Sequence, residues 1–232
     1  MLNRLFYRVP ALIVCFACAN AAQKPPSIPT QPAISFTLDF PASVPSHYSI
    51  RVGKDGTAAY ESMGKLTPEA EGDPFTYSFT VSAVNVARIF DLATSANYFQ
   101  DDVDYKKGRQ ANTGKKTLTY QDSSRNYGAT FNYSNHEPIQ QLTRLFQSIA
   151  ATMESARRLQ YFHHYQPLAL EDELKRMEAM AKDHDPRTRD FEELQAIVPI
   201  LHEIVDDKSI LNVSRARAQR LLALTAKFET AP

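Results

Sequence analysis

Ile34-Ser35-Phe36-Thr37-Leu38-Asp39-Phe40 alternates an apolar side chain with a polar one at every step. A strand sends successive side chains to opposite faces, so this stretch predicts a strand with one dry and one wet face. Three further segments repeat the pattern: Tyr48, Ile50 and Val52; Phe75, Tyr77, Phe79 and Val81; and Tyr127, Ala129, Phe131 and Tyr133. Each is interleaved with Ser, Thr, Arg, Asn or Gly. Such alternation belongs to antiparallel sheets packed on one side, since parallel strands read as unbroken apolar runs. Lys54-Asp55-Gly56 predicts a hairpin onto Thr57 to Met63. Ser123 to Asn126 predicts another, joining Lys116–Asp122 to Tyr127–Ser134.

Helices are expected around and after these strands. Ser82 is a plausible N-cap for a helix carrying Val86, Ile89, Phe90 and Ala93 at helical spacing. A second starts near His136, tolerates Pro138 in its first turn, and carries Ile139, Leu142, Leu145, Phe146, Ile149 and Met153. Beyond it, Leu170, Leu174, Met177 and Ala181 mark one helix. Phe191, Leu194, Ile197, Val198, Leu201 and Ile204 mark another, with a kink expected at Pro199. Ala218, Leu221, Leu222 and Phe228 mark a last one after Ser214, and Asp185-Pro186 reads as a break. All seven glycines lie between Gly53 and Gly128, which divides a turn-rich half from a helical half. The expected fold is α+β: an antiparallel sheet with one face covered by helices, followed by a C-terminal helical region.

The first residues point to a location. Arg4 and Arg8 precede an apolar run from Val9 to Ala19, and Ala19-Asn20-Ala21 is a small-residue cleavage pattern. That order reads as a secretory signal peptide and is too short for a membrane span. Residues 24–32, with four prolines, read as an extended tether. The expected division is a signal peptide at 1–21, a Pro-rich linker at 22–32, an α+β domain at 33–160 and a helical region at 161–232. Both cysteines, Cys15 and Cys18, fall inside the signal segment. Cys15 and Phe16 do not fit a lipid-anchor signal at Cys18, so simple cleavage is expected over lipidation. The mature chain is then cysteine-free, exported to the periplasm or beyond, and has no transmembrane segment.

Lys plus Arg and Asp plus Glu number 26 each, and cleavage at Ala21 removes two arginines, leaving a small negative excess. That balance argues against nucleic acid, which rewards a basic face. A protein or an envelope component is the expected partner, and the oligomeric state stays open.

Candidate chemistry is sparse. His202-Glu203-Ile204-Val205-Asp206 resembles a zinc-peptidase helix, because positions four apart share a helix face; Asp206 stands where a second histidine belongs, and no third ligand is identifiable. His163 and His164 point about 100° apart if they stay helical, so they share a metal only if the helix has ended, with His184 a possible third ligand. Gly108 to Thr117 imitates a phosphate loop with one residue too many and a strand where a helix should follow. No serine sits in a nucleophile elbow, and a mature chain without cysteine excludes thiol chemistry. No cofactor is implied.

The stretch with most functional promise is the long charged loop, where Asp101, Asp102 and Asp104 precede Lys106, Lys107, Arg109, Lys115 and Lys116. Loops of that length inside a compact domain are unusual and are often binding elements. The three aspartates offer oxygen ligands suited to calcium, although without the spacing of a calcium loop. Thr37, Ser49, Thr76, Ser78, Thr117, Thr119 and Thr130 give the wet sheet face a hydroxyl-rich surface.

Tyr48–Tyr60, Asn97-Tyr98-Phe99, Asp101–Tyr105 and Thr113-Gly114-Lys115-Lys116-Thr117-Leu118-Thr119-Tyr120 together resemble a pattern in uncharacterised exported bacterial proteins containing a domain of unknown function. The resemblance spans residues 34–155. It implies an α+β fold and an export route and carries no activity. Those relatives often have two cysteines before the first hairpin, where this chain has Ser43 to His47. The expectation is a non-enzymatic binding module using Asp101, Asp102, Asp104, Lys106, Lys107 and Arg109, with a metal-dependent hydrolase built on His202, Glu203 and Asp206 as the alternative.

Overall fold

The computed structural model describes residues 31–66, 72–107, 109–182 and 193–229. The expected signal peptide, most of the linker, His184, the Asp185-Pro186 break and Phe191 lie outside them. Six strands form one sheet: β1 (Ala33–Asp39), β2 (His47–Gly53), β3 (Thr57–Gly64), β4 (Asp73–Thr80), β5 (Lys115–Gln121) and β6 (Asn126–Phe131). Their order is β4-β3-β2-β1-β5-β6, and every neighbouring pair is antiparallel. The helices are α1 (Ala83–Ser95), α2 (Glu137–Tyr165), α3 (Pro167–Lys182), α4 (Val198–Asp206) and α5 (Asn212–Glu229). The fold is α+β, as the alternation and the glycine distribution predict.

Period two places Ile34, Phe36 and Leu38 with Tyr48, Ile50, Val52, Tyr60, Leu118 and Tyr120 on one face, all buried. α1 and the first half of α2 cover that face with Ile89, Phe90, Ile139, Leu142, Phe146 and Ile149. Phe36 and Phe146 stack at 5.3 Å with nearly parallel rings. Burial of each such side chain stabilises by about 1.5–3 kcal/mol, which makes this face the main source of cohesion.

A second apolar cluster lies beyond. α2 serves both: Met153 belongs to the sheet-side core, and Ala156 and Leu159 to a core built with α3, α4 and α5. One uninterrupted helix therefore runs from the sheet into the helical region. Pro199 does not kink a single helix over 191–204. The chain makes a 3₁₀ turn at Leu194–Ile197 and starts α4 at Val198, so the proline sits in a first turn, where its missing N–H costs no intrahelical bond. Ser214 lies inside α5, one turn later than a cap would.

Two buried polar assemblies fasten these layers. Glu154 on α2 accepts from the Tyr60 hydroxyl at 2.7 Å and from Ser62 Oγ at 2.6 Å. Burial, and then the carboxylate, push the Tyr60 phenol well above its ordinary pKa. Arg157, one turn on and 3.9 Å from Glu154, donates to the carbonyls of Gly64 and Asp73. At the other join, Glu193 accepts from Ser82 N–H, Ser82 Oγ and Asn85 Nδ2 at 2.7–2.9 Å. α1 has no acidic residue in its own first turn; a carboxylate from the far side of the chain fills that place at the positive end of the helix.

Candidate functional site

The charged loop begins with an unusual piece of backbone. Asn97, Tyr98 and Phe99 all have positive φ, 49°, 52° and 67°, and form a left-handed turn directly after α1. Each L-residue in that conformation costs about 1–2 kcal/mol, so three in succession need support. Phe99 is wholly buried. The Arg125 guanidinium, from the β5–β6 turn, lies 4.4 Å above the Tyr98 ring and 4.9 Å from that of Tyr120. Asp122 holds Arg125 through Nε at 2.8 Å. Hydrogen bonds from the turn N–H groups at Ser124 and Arg125 and from the Arg125 side chain keep the Asp122 carboxyl well below the usual range. Asn97 Nδ2 donates to Asp101 Oδ2, which couples the turn to the loop.

The loop then rims an open depression of about 340 Å³ lined by Ala96, Asp101, Asp102, Val103, Asp104, Tyr105, Lys106, Lys107, Asn135 and His136. Five of the six residues expected for binding therefore meet at one concavity; Arg109 is exposed beyond it. The acids are engaged locally. Asp102 Oδ2 accepts from Lys106 Nζ at 2.7 Å, and Oδ1 from Asp104 N–H. These bonds hold its carboxyl low, and the Lys106 ammonium is correspondingly raised. Asp104 Oδ1 accepts from Asn132 N–H at 3.0 Å, and Tyr105 N–H donates to the Tyr133 carbonyl at 2.8 Å. With Asp101 on the Asn97 side chain, Asp102 on Lys106 and the Asp104 N–H, and Asp104 on the Asn132 N–H, the loop is a shaped, mixed-charge rim and not an open calcium cage.

Lys116 is not one of the loop's exposed cations, as its place in the charged stretch suggested. It lies on the dry face of β5, 4% exposed, and donates to the Thr113, Gly114 and Asn132 carbonyls and to Thr113 Oγ1. Burial lowers its pKa, and the carbonyls hold the ammonium to the loop's far end.

The other candidate surface is the wet sheet face. Strand register aligns Thr76, Glu61, Ser49, Thr37, Thr117 and Thr130 in a single row across all six strands. Thr117 and Thr130 hydroxyls meet at 3.0 Å. Five of the seven hydroxyl residues read from the sequence thus share one row, and Ser78 and Thr119 belong to the next.

The alternative residues lie together on one helix. His202, Glu203 and Asp206 are exposed on α4. His163 and His164 are still helical; His163 Nε2 pairs with Asp207 Oδ2 at 2.9 Å and not with Asp206. Ser209, and then His163, hold the Asp207 carboxyl down at about 2. Among the described residues no group of three or more His, Cys, Asp or Glu side chains is placed to hold a metal ion. No helix among them is long and apolar enough to cross a membrane.

His136 was legible as a helix start, but neither it nor Asn135 as part of the rim, because only the fold brings them to Asp101–Lys107. The left-handed turn left one trace: asparagine tolerates positive φ better than most residues. The chain matches no family model and no curated protein.

Proposed function

We propose that this chain is an exported, non-enzymatic binding module that engages a protein or envelope component through the loop 101–109 and the adjoining sheet. The observation that carries this reading is the coincidence of the mixed-charge loop with the concavity at the start of α2. A rim with both signs of charge favours a partner that is itself mixed in charge, and fits neither a polyanion nor a hydrophobic ligand. Export follows the reading of residues 1–21 as a cleaved signal peptide.

The test is native mass spectrometry of the chain recovered from its host's envelope fraction, wild type beside a variant carrying Asp101→Ala, Asp102→Ala, Lys106→Ala and Lys107→Ala. A bound component present on the wild type and missing from the variant supports the loop. Equal loading of both contradicts it.

A further inference from the structure

The outer edge of β6 carries the inference furthest. In an antiparallel pair, residues alternate between those that exchange backbone hydrogen bonds with the neighbour and those whose N–H and C=O point away. The β5–β6 hairpin closes with Asp122 N–H on the Arg125 carbonyl. Counting along the register from there, Tyr127, Ala129 and Phe131 bond to β5, while Asn126, Gly128 and Thr130 turn their backbone groups outward. Past Phe131 the alternation ends: the Asn132 N–H leaves the sheet to reach Asp104, while its carbonyl accepts from Lys116 Nζ and Thr113 Oγ1 on the β5 side.

Among the described residues, β6 has no strand beside it on its outer edge, and two observations bear on that edge. Gly128, which has only backbone to expose, is exposed. At the end of β6 the loop already supplies partners to it, with the Asp104 carboxylate on the Asn132 N–H and the Tyr105 N–H on the Tyr133 carbonyl. Both contacts lie just beyond Phe131, where β6 ends. Two of the usual protections of an edge are missing, since β6 contains neither proline nor a charged residue. Tyr127 and Tyr133, 36% and 40% exposed, stand at the two ends of the segment on the apolar side.

We infer that the β6 edge accepts an extended peptide segment of a partner protein, added antiparallel as a seventh strand, with alternate apolar side chains against Tyr127 and Tyr133. This deepens the proposed binding role and rests on it, because the loop stands at the end of the same edge. A second copy of the chain is the less fitting occupant. Six residues make an edge about 20 Å long on a sheet about 10 Å thick, so pairing two copies edge to edge buries on the order of 400 Å² over both, short of the roughly 1,200–2,000 Å² that a stable dimer buries. A peptide gains main-chain bonds along the edge and adds contacts at the loop.

Proline at an outward position removes no bond to β5 but sets its ring where the incoming strand must lie. The experiment therefore compares the full chain with its Thr130→Pro variant, titrating each by NMR with an acetylated peptide of alternating valine and threonine. An N-methylated version of the peptide tests the same bonds on the unaltered protein. Binding to the wild type that falls about tenfold or more with Thr130→Pro, and equally on N-methylation, supports the inference. No binding at millimolar peptide, or binding that neither change affects, overturns it. Binding that survives both changes but is lost in the fourfold loop variant overturns the edge and leaves the loop reading standing; binding unaffected by all three counts against both. Self-association in sedimentation that Thr130→Pro abolishes would replace the peptide by a second copy and overturn the stated occupant.

Discussion

β4 and β6 are the two edges of one sheet, and both are uncharged along their length after Asp73, yet the chain treats them differently. β4 is fastened to the helical region: the Tyr77 hydroxyl donates to the Ala196 carbonyl at 2.8 Å, Arg157 donates to the Asp73 carbonyl, and Ser82, just past the strand, donates to Glu193. Among the described residues, β6 has no hydrogen bond to α3, α4 or α5. The difference teaches a division of labour. The second core braces one side of the sheet, and the other side stays accessible beside a shaped, charged rim.

The braced side should be the more sensitive to substitution. Glu154→Ala leaves Arg157 buried beside two hydroxyls that have lost their acceptor, and removal of one partner of a buried pair costs about 3–5 kcal/mol. A denaturant midpoint close to wild type would show that this pair does not fasten the layers. At the base of the loop, Gly114 has φ of +90°, and a Cβ there would stand 2.6 Å from Phe40 Cβ and 2.9 Å from Leu38 Cδ1. Gly114→Ala should cost about 1–3 kcal/mol by overpacking, read as a lowered thermal midpoint. Glu193→Ala uncaps α1 across the two cores and should cost about 1–2 kcal/mol. Faster amide exchange at the start of α1 should accompany it, and unchanged exchange there would remove Glu193 from the brace.

Acid separates the regions further. Asp207 has its carboxyl depressed to about 2 in the fold, against about 3.9 for a free aspartate. Its contribution is therefore complete above pH 4 and fades as pH falls toward 2. Asp207→Asn should flatten that part of the stability–pH curve, and an unchanged curve would contradict the assignment. The smallest effect on stability belongs to the loop. Replacing Asp101, Asp102, Lys106 and Lys107 together should leave the denaturant midpoint close to that of the wild type, since exposed pairs contribute little. A large loss would mean that the loop is structural.

How much of this was legible before folding depended on whether the signal was local. Strict alternation over Ile34–Phe40 and its three echoes fixes a strand's two faces, so the sheet and its dry side could be read. Ser82 and Pro138 mark helix starts because their chemistry acts within one turn. The charged loop stood out by its length and composition. Glu193 could not be read as a cap for α1, because it reaches Ser82 from 111 positions away. Lys116 looked like a loop cation, although sharing a strand phase with Leu118 and Tyr120 places it inward. The support of the left-handed turn by Arg125 depends on a cation lying over rings from two separate elements, and residue spacing carries no trace of that.

Residue-resolved amide exchange along β6 tests the contrast between the two edges most directly. An open edge predicts fast exchange at Gly128 and Thr130, slow exchange at Tyr127, Ala129 and Phe131, and protection returning at Asn132 where Asp104 accepts its N–H. Protection of Gly128 and Thr130 equal to that of their neighbours would mean that the edge is already covered in the free protein, and would contradict the account.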